Sequence, residues 1–243
     1  MAAESVIASP DTSMRGLLLS FDGVDSSGKA TQTKLLVDRL RFNGFVVHQF
    51  SSPDYDTPSG RQLKLRLQNK LGDWVATPWR EKLGYFATNR LEHREEVLSA
   101  LEQGEIVIYD RYVPSSQTFI AVEALAEDSA LHRTALYEEV AQEEYEKNKV
   151  AREDCSIFLD VPPRVSAVLL EERKEKLQDS DEYTDHISVQ ERLYEEYNYL
   201  CATDTRHFFR VPCVIEVELL DTVTISELVW AGLRERFPQL AKT

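Results

Sequence analysis

Cysteine is scarce, with three in 243 residues. Cys155, Cys201 and Cys213 share no CxxC spacing, which argues against a disulfide framework or a zinc site and fits a reduced, cytoplasmic chain. No apolar run approaches the ~20 residues needed to span a bilayer, so no membrane partner is expected. Residues 1–14 lack both the basic start and the apolar stretch of a signal peptide, and read as a flexible leader before one domain over 15–243. Positive charge is also in short supply: 28 Lys and Arg against 42 Asp and Glu leave a net charge of −14. That balance argues against a nucleic-acid polymer as partner. It leaves room for a mononucleotide, which needs only a few convergent cations in a cleft. The acid-rich runs at Glu138-Glu139 and Glu143-Glu144-Tyr145-Glu146 read as solvated helix faces. The histidines show no metal-ligand spacing.

Against these absences stands Gly23-Val-Asp-Ser-Ser-Gly-Lys-Ala30, directly after the apolar run Gly16-Leu-Leu-Leu-Ser-Phe21. It is a phosphate-binding loop short of one position, because Ala30 lacks the hydroxyl that normally binds magnesium. A strand delivers it, and Leu35, Leu36, Val37 and Leu40 continue at helical spacing, so backbone N–H groups can converge on a polyphosphate. Further strands are expected at Phe45–Phe50, Glu105–Tyr109, Cys155–Leu159 and Cys213–Val217. Helices are expected over Gly60–Leu71, Trp79–Gln103, Ser116–Ala126, Ala130–Lys149, from Arg164, over Ser188–Cys201 and over Ile225–Phe237. Alternating short strands and helices imply an α/β fold with a five-stranded parallel sheet covered by helices on both faces. Ligands in such sheets bind at the carboxyl ends of the strands, where Gly23–Lys29, Pro53, Asp110-Arg111 and Asp160 all fall.

Asp110 ends a buried strand beside the loop and is placed to organise magnesium or its waters, with Arg111 aimed at phosphate oxygens. Phe86 and Arg90 share a helix face. They suit a base sandwich, although spacing alone favours Phe86 in the core with Leu83 and Val97, and Arg90 reaching water. Arg173, Lys174 and Lys176 open a charged segment that reads equally as a mobile lid closing over phosphates, around 173–187, or as an ordinary exposed helix end.

Four stretches in order resemble the thymidylate kinase family of P-loop nucleoside monophosphate kinases: Phe21–Gln32, Pro53–Gly60, Phe86-Ala-Thr-Asn-Arg90 and Asp110-Arg-Tyr-Val-Pro-Ser115. The resemblance covers about Arg15 to Phe237 and implies the three-layer P-loop NTPase fold. It implies transfer of phosphate from ATP, with Mg2+, to dTMP, giving dTDP. ATP would lie on Gly23, Val24, Asp25, Ser26, Ser27, Gly28, Lys29, Ala30 and Thr31. Phe86 is implied to stack on thymine and Arg90 to donate to its exocyclic oxygen, with Ser116 facing the base and Gln117 as its neighbour. Arg111 and Tyr55 are implied to hold the acceptor phosphate, and Asp25 to approach the sugar or the phosphates. Lys29, Arg111 and, absent a basic residue in Val24–Ser27, Arg173 would be catalytic, and Asp110 would serve the metal. A homodimer is implied as well. The sequence departs from the family at Ala30, at Asp54 where many relatives carry a basic residue (leaving Arg61 or another Arg to supply that charge), at Asn89 in place of Asp, and at Ile120 in place of a polar residue. Two alternatives stay open: a kinase of another nucleoside monophosphate, and a nucleotide-binding regulatory protein without turnover.

Overall fold

The structure, a computed structural model, describes residues 15–169 and 187–241. The leader and all of the expected lid except Ile187 lie outside the described residues. Strands β1 (Leu18–Asp22), β2 (Val47–Ser51), β3 (Ile106–Asp110), β4 (Cys155–Asp160) and β5 (Phe208–Pro212) form one parallel sheet in the order β2-β3-β1-β4-β5. Side chains alternate across it, as the two-residue period of a strand requires. Leu18, Val107 and Tyr109 face one core, while Leu19, Phe21, Ile106 and Ile108 face the other. Both faces are therefore apolar, which is why the strands read as continuous hydrophobic runs. Phe21 pairs with Asp110 and Asp22 with Phe158, so β1 and β3 end within one residue of each other and β4 runs two residues further.

Helices α1 (Lys29–Phe42), α2 (Pro58–Leu67), α3 (Trp79–Leu91), α4 (Arg94–Glu102), α5 (Val113–Glu127), α6 (Arg133–Ala141), α7 (Ile187–Thr203) and α8 (Thr222–Arg236) surround the sheet. Residues 163–169 are also helical. The side chain of Thr57 accepts from Gly60 N at 3.2 Å, and Pro58 takes the first position of α2, a start that satisfies one free N–H and loses none. Among the described residues no helix is long and apolar enough to cross a membrane.

Three sequence expectations need correction. The single helix over Trp79–Gln103 is two helices, broken at Glu92-His93. The junction side chains are engaged elsewhere: Glu92 accepts from Ser59 N at 2.8 Å, His93 reaches Asp54 at 2.9 Å, and its ring lies 4.8 Å from that of Phe50. The helix over Ala130–Lys149 begins only at Arg133, and its last turn, Gln142–Lys147, winds as a π-helix. The fifth strand is Phe208–Pro212 rather than Cys213–Val217. Val214–Ile215 (β6) instead pairs antiparallel with Glu218–Leu219 (β7) around Glu216, whose φ is 58°.

Candidate active site

The loop after β1 turns where its glycines permit. Gly23 has φ 145°, and a Cβ there would meet Leu159 O and Ser27 Oγ, each at 3.1 Å. Gly28, at φ 90°, heads α1 with nothing nearby, so its requirement is purely conformational. Lys29 is buried and curls over the loop, its Nζ donating to Val24 O at 2.6 Å and Gly23 O at 3.2 Å, with Ser27 Oγ at 3.4 Å. Burial, then the neighbouring Arg111, lowers its pKa to about 8, despite the opposing charges of Asp25, Asp110 and Asp22. Ala30 and Thr31 are exposed in the first turn of α1.

Asp22 is fully buried and accepts from three hydroxyls, Ser20 at 2.6 Å, Ser115 at 2.5 Å and Ser156 at 2.8 Å. It ties β1 to β4 and to the start of α5, and so sets the loop's origin. Asp25 points the other way. One of its carboxylate oxygens accepts from Arg111, the other from Gln190 Nε2 at 2.8 Å, while its own N–H donates to Gln190 Oε1 at 3.0 Å. Arg111 holds a left-handed backbone, φ 66°, a conformation that costs energy for a residue with a Cβ. From there its Nη1 donates to Gly23 O at 3.1 Å. Burial opposes its charge, but Asp25, Tyr197 and Asp110 outweigh that and raise its pKa above the ordinary value.

A cavity of about 130 Å³ opens beside this loop, and its lining includes Asp25, Arg111, Tyr55, Phe86, Arg90 and Ser116. The Phe86 ring stands edge-on to Trp74 and Phe119, with centroids 6.1 and 5.4 Å away. Arg90 does not reach water, contrary to the spacing-only reading, being 3% exposed. Its Nε donates to both Glu144 oxygens at 3.1 Å, Nη1 to Ser52 Oγ at 2.6 Å, and Nη2 to Ser116 Oγ at 2.6 Å and to Glu144. Of the five guanidinium hydrogens, one on Nη1 remains without an acceptor among the described residues. Burial works against the charge, and Glu144 more than offsets it, so Arg90 stays protonated.

Glu144 is the residue that sequence reasoning missed. Assigned to a solvated face, it is 0% exposed. A signal existed: Leu136, Val140 and Glu144 fall four apart, so Glu144 continues the buried stripe of α6 into the π-turn. Ser52 and Gln190 were missed too, and nothing in the sequence separates them from ordinary polar residues.

The segment carrying Tyr55 follows a cis Ser52–Pro53 bond and is shaped by Asn89. The Asn89 amide is 1% exposed, accepts from Asp54 N at 2.7 Å, and donates to Asp54 O at 3.2 Å, Thr57 Oγ1 at 2.8 Å and Ser59 Oγ at 3.1 Å. Gly60 closes the same turn, where a Cβ would lie 1.7 Å from Asp54 O. The Asp54 side chain faces His93, outside the cavity lining.

Other expectations fall elsewhere. Gln117 donates to Tyr137 O at 3.3 Å and does not line the cavity. Ile120 is fully buried in the core. Arg61 donates to Asp56 O on the surface. Arg173, like Lys174 and Lys176, lies outside the described residues. Asp110 ends β3 half-buried, and its carboxylate makes no hydrogen bond among the described residues while sharing the field of Lys29 and Arg111. Those residues contain no group of three or more His, Cys, Asp or Glu able to cage a metal. One unengaged carboxylate beside a phosphate loop fits Mg2+, which keeps several waters and binds through one or two carboxylates plus substrate phosphates.

A family model described as thymidylate kinase matches residues 21–212. The chain is 28% identical over 230 residues to a thymidylate kinase of Bifidobacterium longum strain NCC 2705, covering 94% of this chain and 100% of that one. It is 25% identical over 220 residues to a thymidylate kinase of Plasmodium falciparum, covering 90% and 92%. A probable thymidylate kinase of Pyrococcus abyssi is 32% identical over 155 residues, covering 63% and 69%.

Proposed function

The chain belongs to the thymidylate kinase family, and on that footing we propose that it transfers the γ-phosphoryl group of ATP to dTMP, giving dTDP and ADP. A phosphate oxygen of dTMP attacks the γ-phosphorus as the bond to the β–γ bridging oxygen breaks. Such a reaction depends chiefly on alignment and charge stabilisation.

The loop N–H groups of Gly23–Thr31 and Lys29 hold the donor. Lys29 exchanges the carbonyls of Val24 and Gly23 for phosphate oxygens, which are stronger acceptors for an ammonium. Arg111, reached from the same loop by its contacts with Gly23 O and Asp25, neutralises charge between donor and acceptor. Phe86 stacks on the base, and the remaining Nη1 hydrogen of Arg90 donates to a carbonyl oxygen on its edge. Tyr55 steadies the acceptor phosphate. Asp110, with water and phosphate oxygens, would hold Mg2+, which would supply further charge neutralisation.

The observation that carries this reading is one cavity lined by Phe86, Arg90, Arg111 and the loop's own Asp25. The test is ADP release with dTMP, dUMP, dCMP and dGMP offered at equal concentration. A kcat/KM highest for dTMP is expected. Equal rates for dGMP, or ATP binding without turnover in excess Mg2+, would overturn it. The family reading also supports one domain over 15–243 and a homodimer, which sedimentation would detect as twice the 27.9 kDa chain mass. Buried Cys155 and Cys213 fit a reducing, cytoplasmic setting.

A further inference from the structure

At the opposite end of the sheet, where β1, β4 and β5 begin, a cleft of about 480 Å³ is lined by Arg15, Arg152, Arg206 and Arg236. The five residues of β1, at roughly 3.3 Å each, put it about 17 Å from the phosphate loop. Four guanidinium groups in one cleft stand out in a chain of net charge −14. Among the described residues none of the four forms an ion pair, whereas Arg39, Arg80, Arg94, Arg133 and Arg210 each pair with a carboxylate.

Two acids, Glu153 and Asp154, share the lining, and each accepts a hydrogen bond from the surrounding fold. Asp154 accepts from Leu18 N at 2.8 Å. Glu153 is buried and accepts from Tyr145 OH at 2.6 Å. Asp204 holds His207 at 2.8 Å. Two of the arginines are also fixed in place. Arg236 donates to the backbone oxygens of Arg206 at 3.3 Å and Phe208 at 3.0 Å and lies 5.2 Å over the Phe209 ring. Arg152 sits 4.0 Å over the ring of Tyr145. Cations positioned in advance lose little freedom on binding, and planar guanidinium forks match phosphate oxygens in pairs.

We propose that this cleft is a second anion site, which binds the di- or triphosphate group of a small phosphorylated molecule independently of the transfer site. Calorimetry with inorganic tripolyphosphate tests it on the full chain. Lys29→Met weakens the donor loop, and comparing it with Lys29→Met/Arg152→Ser/Arg206→Ser isolates the cleft. Arg152 and Arg206 are exposed, and a thermal melt checks that both proteins fold alike. The Lys29→Met protein is expected to bind tripolyphosphate, and the triple variant at least tenfold more weakly. Equal affinity in the two proteins, or no binding to Lys29→Met, would overturn the proposal.

Discussion

Lys29 and Arg90 are both buried cations beside one cavity, and they are held in opposite ways. Arg90 is bound to partners that stay: a buried carboxylate and two serine hydroxyls, reached from α3, α5, the π-turn and the start of the Pro53 segment. Lys29 is bound to backbone carbonyls of its own loop, weaker acceptors for a cation than phosphate oxygens. On the proposed function, the end that takes the base is organised before any ligand arrives, whereas the end that takes phosphate keeps contacts that can be traded. An end that reads identity gains from rigidity. An end whose ligand changes charge during turnover gains from exchange.

Breaking the exchangeable end should have the largest effect. Lys29→Met is expected to lower kcat by about 10²–10³-fold, the usual cost of losing one preorganised charge donor. Its thermal midpoint should hold or rise, because a desolvated cation is removed. A parallel fall in midpoint would mean that Lys29 is held like Arg90, and the contrast would collapse.

The fixed end should fail through stability instead. Glu144→Ala leaves Arg90 buried and unpaired, and breaking such a pair costs about 3–5 kcal/mol. Denaturant unfolding should show that loss, together with a raised KM for the monophosphate. A change in kcat alone would contradict it. Phe86→Ala removes the proposed stacking surface and should raise that KM by roughly 5- to 160-fold, from about 1–3 kcal/mol of stacking, with kcat little changed in steady-state assays.

Much of this division could be read from the sequence. The strand, loop and helix from Leu18 to Phe42 declared themselves because glycine, lysine and apolar spacing act locally. The fifth strand was misplaced because Phe208–Pro212 carries Arg210 and Pro212, which an edge strand tolerates, while the more apolar Cys213–Val217 turns back as a hairpin. The Arg90–Glu144 pair joins residues 54 apart in the chain. The acidic run around Glu144 suggested a solvated face, although its four-residue spacing from Leu136 and Val140 carries it into the core. Asp54 departs from the family as an acid, yet its side chain is engaged by His93. That resolution depends on the break between α3 and α4, which helical periodicity concealed.

The smallest effects concern pH. With its folded pKa lowered to about 8, Lys29 loses its charge as pH rises through that value when no phosphate is bound, so ATP affinity should fall above pH 8. Lys29→Arg, which keeps its charge, should remove that fall. Burial raises Glu153 to about 7 from 4.5. A carboxyl raised in the folded state stabilises fully below its unfolded pKa, and the contribution is lost as pH rises through the folded one. Stability should therefore decline between about pH 4.5 and 7, and Glu153→Gln should flatten that decline in denaturant titrations.

Asn89 and Arg90 are consecutive on α3, one clamping the turn that bears Tyr55, the other lining the pocket on the same helix face as Phe86. Widening this pocket for a purine by sliding or rotating that helix would drag the Tyr55 turn along with it. An engineer who wants a new substrate here should carve side chains from α5 and leave α3 where it stands.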